Sequence, residues 1–363
     1  MTTTTHTDRS EDLAERLFAA TLGALELCSV YLGSELGLYA TLAQHGPLTH
    51  DELAQRAGIA PRYAREWLEQ QAVAGLLDLE RADAEPRARR YGLNTAHARV
   101  LADADDPSHV APFAHMIAGI GGVLPRVADA YRTGGGIPYE AYGRAFRHGQ
   151  GHINRPAFTR ELPTDWLGAM PDVVARLEGA PHPRIADVGC GQGWSTLALA
   201  DAFLDAHVDG IDADPASVAD ATRHATDAGL DGRVRFVEAD AAEVAEHGPY
   251  DLVLVLEALH DMTDPAAALR AARAALTPGG AVLVVDERVA DAFTAPGDEV
   301  ERMMYGWSVT HCLPSQMVEQ HSAALGTALR ADTVRELAEQ AGYARVAVLP
   351  VDNDFFRLYR LDP

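Results

Sequence analysis

Lysine is missing from this sequence altogether; all 30 basic residues are arginine. No lysine amine is present to form a Schiff base or to act as a general base. Cysteine is scarce. Cys28, Cys190 and Cys312 stand far apart with no CxxC pair, which leaves no disulfide framework or cysteine zinc site and fits a reducing compartment. No apolar run approaches the ~18 uninterrupted residues of a membrane span. The opening MTTTTHTDRS lacks the basic-then-apolar order of a leader. Positive charge is also short. A net charge of -23 argues against a phosphate-backbone partner, which takes Lys and Arg to displace counterions. The expectation is a cytoplasmic protein with no nucleic-acid and no membrane partner.

What is present suffices for large cores. The chain has 363 residues, 47% of them hydrophobic, and that length predicts two domains. Leu13, Leu17, Leu22, Leu25 and Leu27 predict an opening amphipathic helix, and residues 31–43 a second. In PLTHDELAQRAG, Thr49 starts a short helix with Glu52 three residues on as a capping box, and Gly58 stops it. Pro61 then opens APRYAREWLEQQAVAGLL at a first helical position. Two short apolar segments around 76–80 and 90–93 complete a helix-turn-helix followed by a hairpin, the order of a winged helix. From Asp51 to Arg99 there are eight arginines and eight carboxylates, so this region lacks the electrostatic footprint of a DNA reader. A helical layer for dimerisation is the better reading.

Residues 101–180 read as mostly helical, interrupted by Gly134-Gly135-Gly136 and by FRHGQGHINRP. From 183 onward short apolar runs alternate with alanine-rich helices. The predicted strands are 185–188, 208–211, 234–237, 252–256, 281–285, 346–349 and 355–359. This is the βαβ signature of an open, mainly parallel sheet, and the last two strands should form an antiparallel edge. The expected boundaries are 1–105 for the winged helix, 106–180 for a helical linker and lid, and 181–363 for the sheet domain.

The first strand runs through Asp187 into Gly189-Cys190-Gly191-Gln192-Gly193. This G-x-G-x-G departs from the dinucleotide fingerprint G-x-G-x-x-G and suits a ligand without a pyrophosphate. Strand two ends Gly210-Ile211-Asp212-Ala213-Asp214-Pro215, placing Asp212 where a carboxylate accepts from both ribose hydroxyls. Asp214 and Pro215 serve the next helix as N-cap and first residue. Strand three ends at Asp240-Ala241, and Asp240 can accept from an exocyclic adenine amine or cap a turn. Strand four ends at Glu257. Acidic and glycine residues thus collect at the carboxyl ends of the strands, where open α/β sheets bind ligands.

Together DVGCGQG, GIDADP, VRFVEADAAE, YDLVLVLEALHD and LTPGGAVLVVDE resemble the class I S-adenosylmethionine-dependent methyltransferases over about 180–360. With the winged-helix front end, the whole chain resembles the small-molecule O-methyltransferases of plant phenylpropanoid and bacterial natural-product pathways. The resemblance implies an α/β fold, a Rossmann-like seven-stranded methyltransferase sheet preceded by a mainly helical winged-helix domain. It further implies a homodimer, a small-molecule acceptor and S-adenosyl-L-methionine as cofactor. Gly189, Gly191 and Gly193 would then pass close to the cofactor, with Asp187 and Glu257 at its edge, Asp212 and Ala213 at the ribose, and Asp240 and Ala241 beside adenine.

In that family a histidine after strand four, in an HD motif that His260-Asp261 matches, takes the acceptor hydroxyl's proton. An ordinary pKa of about 6.5 suits that task near neutrality. The bland alternative is a structural hydrogen bond at a strand end. Asp286, Glu287 and Glu301 are the candidates for holding its tautomer. Plant-type enzymes continue with a tryptophan and an acidic residue, whereas this chain continues Met262-Thr263-Asp264-Pro265. Between strand five and the last helix, MMYGWSVTHCLPSQM offers Tyr305, Trp307 and His311 as acceptor contacts, or else a helix packed on the front domain. If His311 faces His260, the pair could hold a metal ion with a carboxylate and support carbon methylation of a 2-oxo acid. A third reading is a non-catalytic cofactor sensor.

Overall fold

The computed structural model describes residues 9–363; residues 1–8, most of the MTTTTHTDRS opening, lie outside the described residues. The chain divides into two compact units, Met1–Ala118 and Gly119–Pro363.

The first unit opens with α1 (Arg9–Glu35), α2 (Leu38–His45), α3 (His50–Ala57) and α4 (Pro61–Val73). Residues 31–35 belong to α1 rather than to a second helix, and Gly37, in the left-handed region at φ 65°, separates α1 from α2. Thr49 caps α3 with Glu52 in a reciprocal box, Gly58 ends it at φ 68°, and Pro61 is the first residue of α4. The hairpin β1 (Asp78–Glu80) and β2 (Arg90–Gly92) is antiparallel, and α5 (Thr95–Leu101) follows. Leu38, Tyr39, Leu42, Leu53, Trp67, Leu68 and Tyr91 bury together at its centre.

α1 departs from expectation. It is long and apolar enough by composition to cross a membrane, although its apolar residues are interleaved with small ones rather than running unbroken. Phe18, Leu25 and Leu32, seven residues apart, are 66%, 61% and 48% exposed, and Leu22 lies exposed among them. That spacing makes one apolar stripe along a helix.

α6 (Pro112–Thr133), within which the boundary falls, is followed by α7 (Gly143–Glu161) and α8 (Pro171–Gly179). FRHGQGHINRP does not interrupt the helices; it lies inside α7. Gly151 there serves packing rather than turning. A Cβ at Gly151 would run into the end of the Gln192 side chain, so the glycine leaves room for Gln192 where α7 meets the loop after the first sheet strand.

The sheet has seven strands: β3 (Arg184–Val188), β4 (His207–Asp212), β5 (Val234–Glu238), β6 (Tyr250–Leu256), β7 (Leu276–Glu287), β8 (Arg345–Val348) and β9 (Phe356–Asp362). Their order is β5-β4-β3-β6-β7-β9-β8, with β9 antiparallel to both β7 and β8. Helices α9 (Trp194–Ala202), α10 (Pro215–Ala228), α11 (Pro265–Ala274), α12 (Glu299–Trp307), α13 (Leu313–Gln316) and α14 (Ala331–Gln340) complete the unit. Alternation decides which core each strand residue joins. Ile185, Leu252, Leu254, Leu256, Leu283 and Val285 bury on one face, and Ala186, Val188, Val253, Val255, Val282 and Val284 on the other. Both faces are covered, as a parallel sheet requires. The strand order reverses between β3 and β6, and a crevice opens at their carboxyl ends.

Candidate active site

A cavity of about 760 Å³ occupies that crevice, large enough for a nucleoside-sized ligand and a small second molecule. Its floor is the loop after β3. Gly189, Gly191 and Gly193 have φ of 74°, 51° and 80°, left-handed values that glycine adopts without strain. A Cβ at Gly189 would lie 2.5 Å from that of Ala258, so no other residue fits there. Asp212 binds this loop to the next strand end. Its Oδ2 accepts from the Gly191 amide and its Oδ1 from the Asp214 amide, both at 2.8 Å. Burial raises its pKa to about 6 against those two bonds, and each oxygen keeps a lone pair for a ligand hydroxyl.

Gly189, Gly191, Asp212, Ala213, Asp240, Ala241 and Glu257 all line the cavity. Asp240 serves two ends: its Oδ1 accepts the Ala242 amide at 2.8 Å as a helix cap while the residue stands on the wall. Glu257 is held at φ 54°, a conformation that costs roughly 1–3 kcal/mol for a non-glycine residue. Its Oε1 is buried without a hydrogen-bond partner. Burial, then the neighbouring Asp286, holds its pKa well above the usual carboxylate range, so the group is drawn toward its neutral form and only a cationic ligand atom beside it would favour the carboxylate.

Asp187 and Gly193 do not line the cavity. Asp187 is 1% exposed and takes the Ser195 and Thr196 hydroxyls on Oδ2, each at 2.6 Å. It fixes the start of α9 against β3 and so acts on the loop from behind. Gly193 is packed under Phe236.

The HD motif divides between wall and interior. Asp261 lines the cavity, whereas His260 is 3% exposed and lies one layer behind. Oδ1 of Asp286 lies 2.9 Å from its Nδ1, and a Glu287 oxygen lies 3.3 Å away. Its Nε2 lies 3.5 Å from Oδ1 of Asp261. Burial disfavours the imidazolium, but Asp286, Glu287 and Asp261 outweigh it and raise the pKa well above the usual histidine value. Of the three carboxylates the sequence offered as orienters, Glu301 turns elsewhere, pairing with Arg330 at 2.6 Å. Asp264 caps α11, with Pro265 as its first residue.

The aromatic stretch also divides. His311 lines the cavity, and Tyr305 and Trp307 do not. Helical spacing explains the split: Met304, Ser308 and His311, at i, i+4 and i+7, are buried, while Tyr305 and Val309 are exposed. The groups compact enough to hold an ion, among the described residues, are His260 with Asp261 and Cys312, and His260 with Asp286 and Glu287. Neither includes His311, so the ligand set expected for metal-assisted carbon methylation is not assembled.

Several wall residues were not foreseen. Arg147, Gln150, Asn154 and Phe158 come from α7, Tyr139 from the turn before it, and Gln192 and Trp194 from the glycine loop and α9. A helical face repeating polar residues at 147, 150 and 154 was the available signal, hidden by reading the glycines there as breaks.

Residues 185–280 match the family described as a methyltransferase domain, and residues 23–103 match the Rv2258c-like winged HTH domain. The second unit therefore carries a methyltransferase domain. The chain is 39% identical over 113 residues to the ubiquinone biosynthesis O-methyltransferase of Xanthomonas campestris pv. campestris (strain B100), covering 31% of this chain and 46% of that protein. It is 36% identical over 109 residues to the enzyme of that name from Paraburkholderia xenovorans (strain LB400), covering 30% and 45%. The chain thus spans about half the length of these curated relatives. Among solved structures, human N-acetylserotonin methyltransferase in complex with SAM is similar with a TM-score of 0.68 at 18% identity, over 99% of both chains. The mitomycin 7-O-methyltransferase MmcR is similar with a TM-score of 0.64 at 20% identity, over 98% of this chain and 99% of that one. At these identities the likeness establishes the fold: a Rossmann-like seven-stranded methyltransferase domain that follows a winged-helix region in the sequence.

Proposed function

We propose that the chain is an S-adenosylmethionine-dependent methyltransferase that methylates a hydroxyl oxygen of a small, natural-product-like organic acceptor, with His260 as general base. The observation that carries this reading is the line Asp261–His260–Asp286, which leads from the cavity wall to a buried carboxylate. When bound, the cofactor supplies an electrophilic methyl group on a positively charged sulfur. Asp212 would take its ribose hydroxyls and Asp240 its adenine amine, and the partnerless Glu257 oxygen would accept from its ammonium group. The backbone at Gly189 and Gly191 leaves room for close approach.

His260 would draw the acceptor's proton toward Nε2, past or through the Asp261 carboxylate on the wall, while Asp286 stabilises the imidazolium that forms. Even without Glu257, carboxylates dominate the lining: Glu140, Asp212, Asp214, Asp240, Asp261 and Asp264 against the single arginine Arg147, itself 3.4 Å from Asp220. Such a field favours a cationic cofactor and disfavours a carboxylate-bearing acceptor, which speaks against a 2-oxo acid.

The exposed stripe on α1 supports a homodimer through that helix, and the absence of a cysteine framework supports a cytoplasmic setting. The enzymatic reading is tested by incubating the protein with methyl-labelled cofactor and a panel of phenols and oxo acids. Label appearing on the oxo acids and on none of the phenols would sink it.

A further inference from the structure

His311 sits in an environment that its packing leaves incomplete. A π-helical turn, Ser308–Cys312, carries it between α12 and α13; such turns insert an extra residue into a helix and re-aim the side chains around it. The ring stacks on Phe146, with centroids 4.0 Å apart and planes at 28°. The edges of Tyr142 and Tyr139 close two other sides, at 4.6 and 5.8 Å. Nδ1 has the Cys312 thiol at 3.5 Å. Nε2 is buried with no hydrogen-bond partner, and the residue is 2% exposed on the cavity wall that also includes Asp261, Ser315 and Gln316.

A buried imidazole nitrogen without a partner is costly, and native structures retain one where something else completes it. The glycine loop, Asp212, Asp240 and Glu257 account for the cofactor end of the cavity, and His311 belongs to none of them. We propose that His311 is the acceptor-orienting residue: its Nε2 hydrogen-bonds an uncharged oxygen on an aromatic hydroxyl compound, which the Tyr139 side of the cage helps to enclose. This rests on the O-methyltransferase reading above.

Uncharged is the operative word. Burial lowers the pKa of His311 to about 4, so near neutral pH it offers no positive charge to a carboxylate. The surrounding wall is already rich in carboxylates. A neutral ring presents either a lone pair or an N–H at Nε2, and both suit a hydroxyl.

The test uses the full chain with His311→Phe, which keeps a ring against Phe146, and His311→Gln, which keeps a neutral polar end. Cofactor affinity is measured by calorimetry, and kcat and KM are measured for catechol-type phenols and their carboxylated counterparts. The wild type should favour the uncarboxylated phenols. H311F should lose about tenfold to hundredfold in kcat/KM, mostly through KM, with cofactor affinity changed less than about twofold. H311Q should recover part of that loss. Unchanged acceptor kinetics in H311F beside an active wild type overturns the role of His311 alone, as does a parallel fall in cofactor affinity. A wild type that binds cofactor yet methylates no phenol overturns the parent reading together with this one.

Discussion

Nδ1 of His260 lies 2.9 Å from Oδ1 of Asp286, joining a residue just beyond β6 to one near the end of β7. Both side chains are buried, and Oδ2 of Asp286 has no hydrogen-bond partner. Oδ1 also accepts the Glu287 amide at 3.1 Å, so both of its contacts fall on the oxygen that faces the imidazole. Asp286 stays below the usual carboxylate range despite its burial, with His260 as the main opposing influence. Glu287 lies beside them with its pKa well above the ordinary value, through burial and then the charge of Glu257. One carboxylate of the group is charged so that its neighbours need not be.

The pair gives the reaction a pH dependence of definite sign. A base must be unprotonated to act, and the His260 pKa is raised, so kcat should climb as pH rises through that raised value. Asp286→Asn removes the strongest influence holding it up, and burial then pulls it down. The rising limb should move to lower pH by about one unit or more, while the plateau falls because the imidazolium is no longer stabilised. The same linkage acts on stability. The pairing contributes fully below the ordinary histidine pKa and is lost as pH rises through the raised one. A pH–rate profile of D286N that overlays the wild type would remove the pair from the mechanism.

His260→Ala should keep the cofactor and lose the chemistry. The imidazole lies one layer behind the wall, with Asp261 between it and the cavity. Calorimetric affinity for S-adenosylmethionine should stay within about twofold, and methyl transfer should drop by roughly a hundredfold to ten-thousandfold. Undiminished turnover would leave His260 with the structural role alone.

Asp212→Ala should act at the other end. It deletes acceptors for the Gly191 and Asp214 amides as well as the site proposed for the ribose. Cofactor dissociation constants should rise about tenfold to hundredfold, roughly 1.4–2.8 kcal/mol. Asp240→Ala should cost less, because one of its oxygens is already a helix cap. Equal effects of the two substitutions in calorimetry would contradict the division of labour.

Strands were legible because burial on both faces writes unbroken apolar runs, and caps were legible because Asp214-Pro215, Asp264-Pro265 and Thr49-Glu52 are local chemistry. The glycine loop of the crevice was legible for the same reason: its glycines and Asp212 follow strand ends at fixed spacing. The acceptor wall was not. Which of Tyr305, Trp307 and His311 faces inward depends on helical phase through a π-turn, and composition carries no phase. α7 was misread because glycine signals a turn locally, while Gly151 is explained by a partner 41 positions downstream, Gln192. Asp187 stands before the glycines, yet its Oδ2 serves α9 from behind the loop, which depends on side-chain direction at a strand end.

Leu25→Glu tests the association that α1 invites. Phe18, Leu25 and Leu32 lie on one stripe with Leu22 between them, all exposed, and burying what remains of each against a second copy would gain on the order of 1 kcal/mol apiece. A glutamate at the middle of that stripe would be desolvated beside its own symmetry mate in a two-fold dimer, so repulsion adds to lost burial. The wild type should sediment as a dimer and L25E should shift to monomer at micromolar concentration. Circular dichroism should be unchanged, since Leu25 contributes to no buried cluster of its own chain. A monomeric wild type in sedimentation would end the dimer proposal and leave the stripe unexplained.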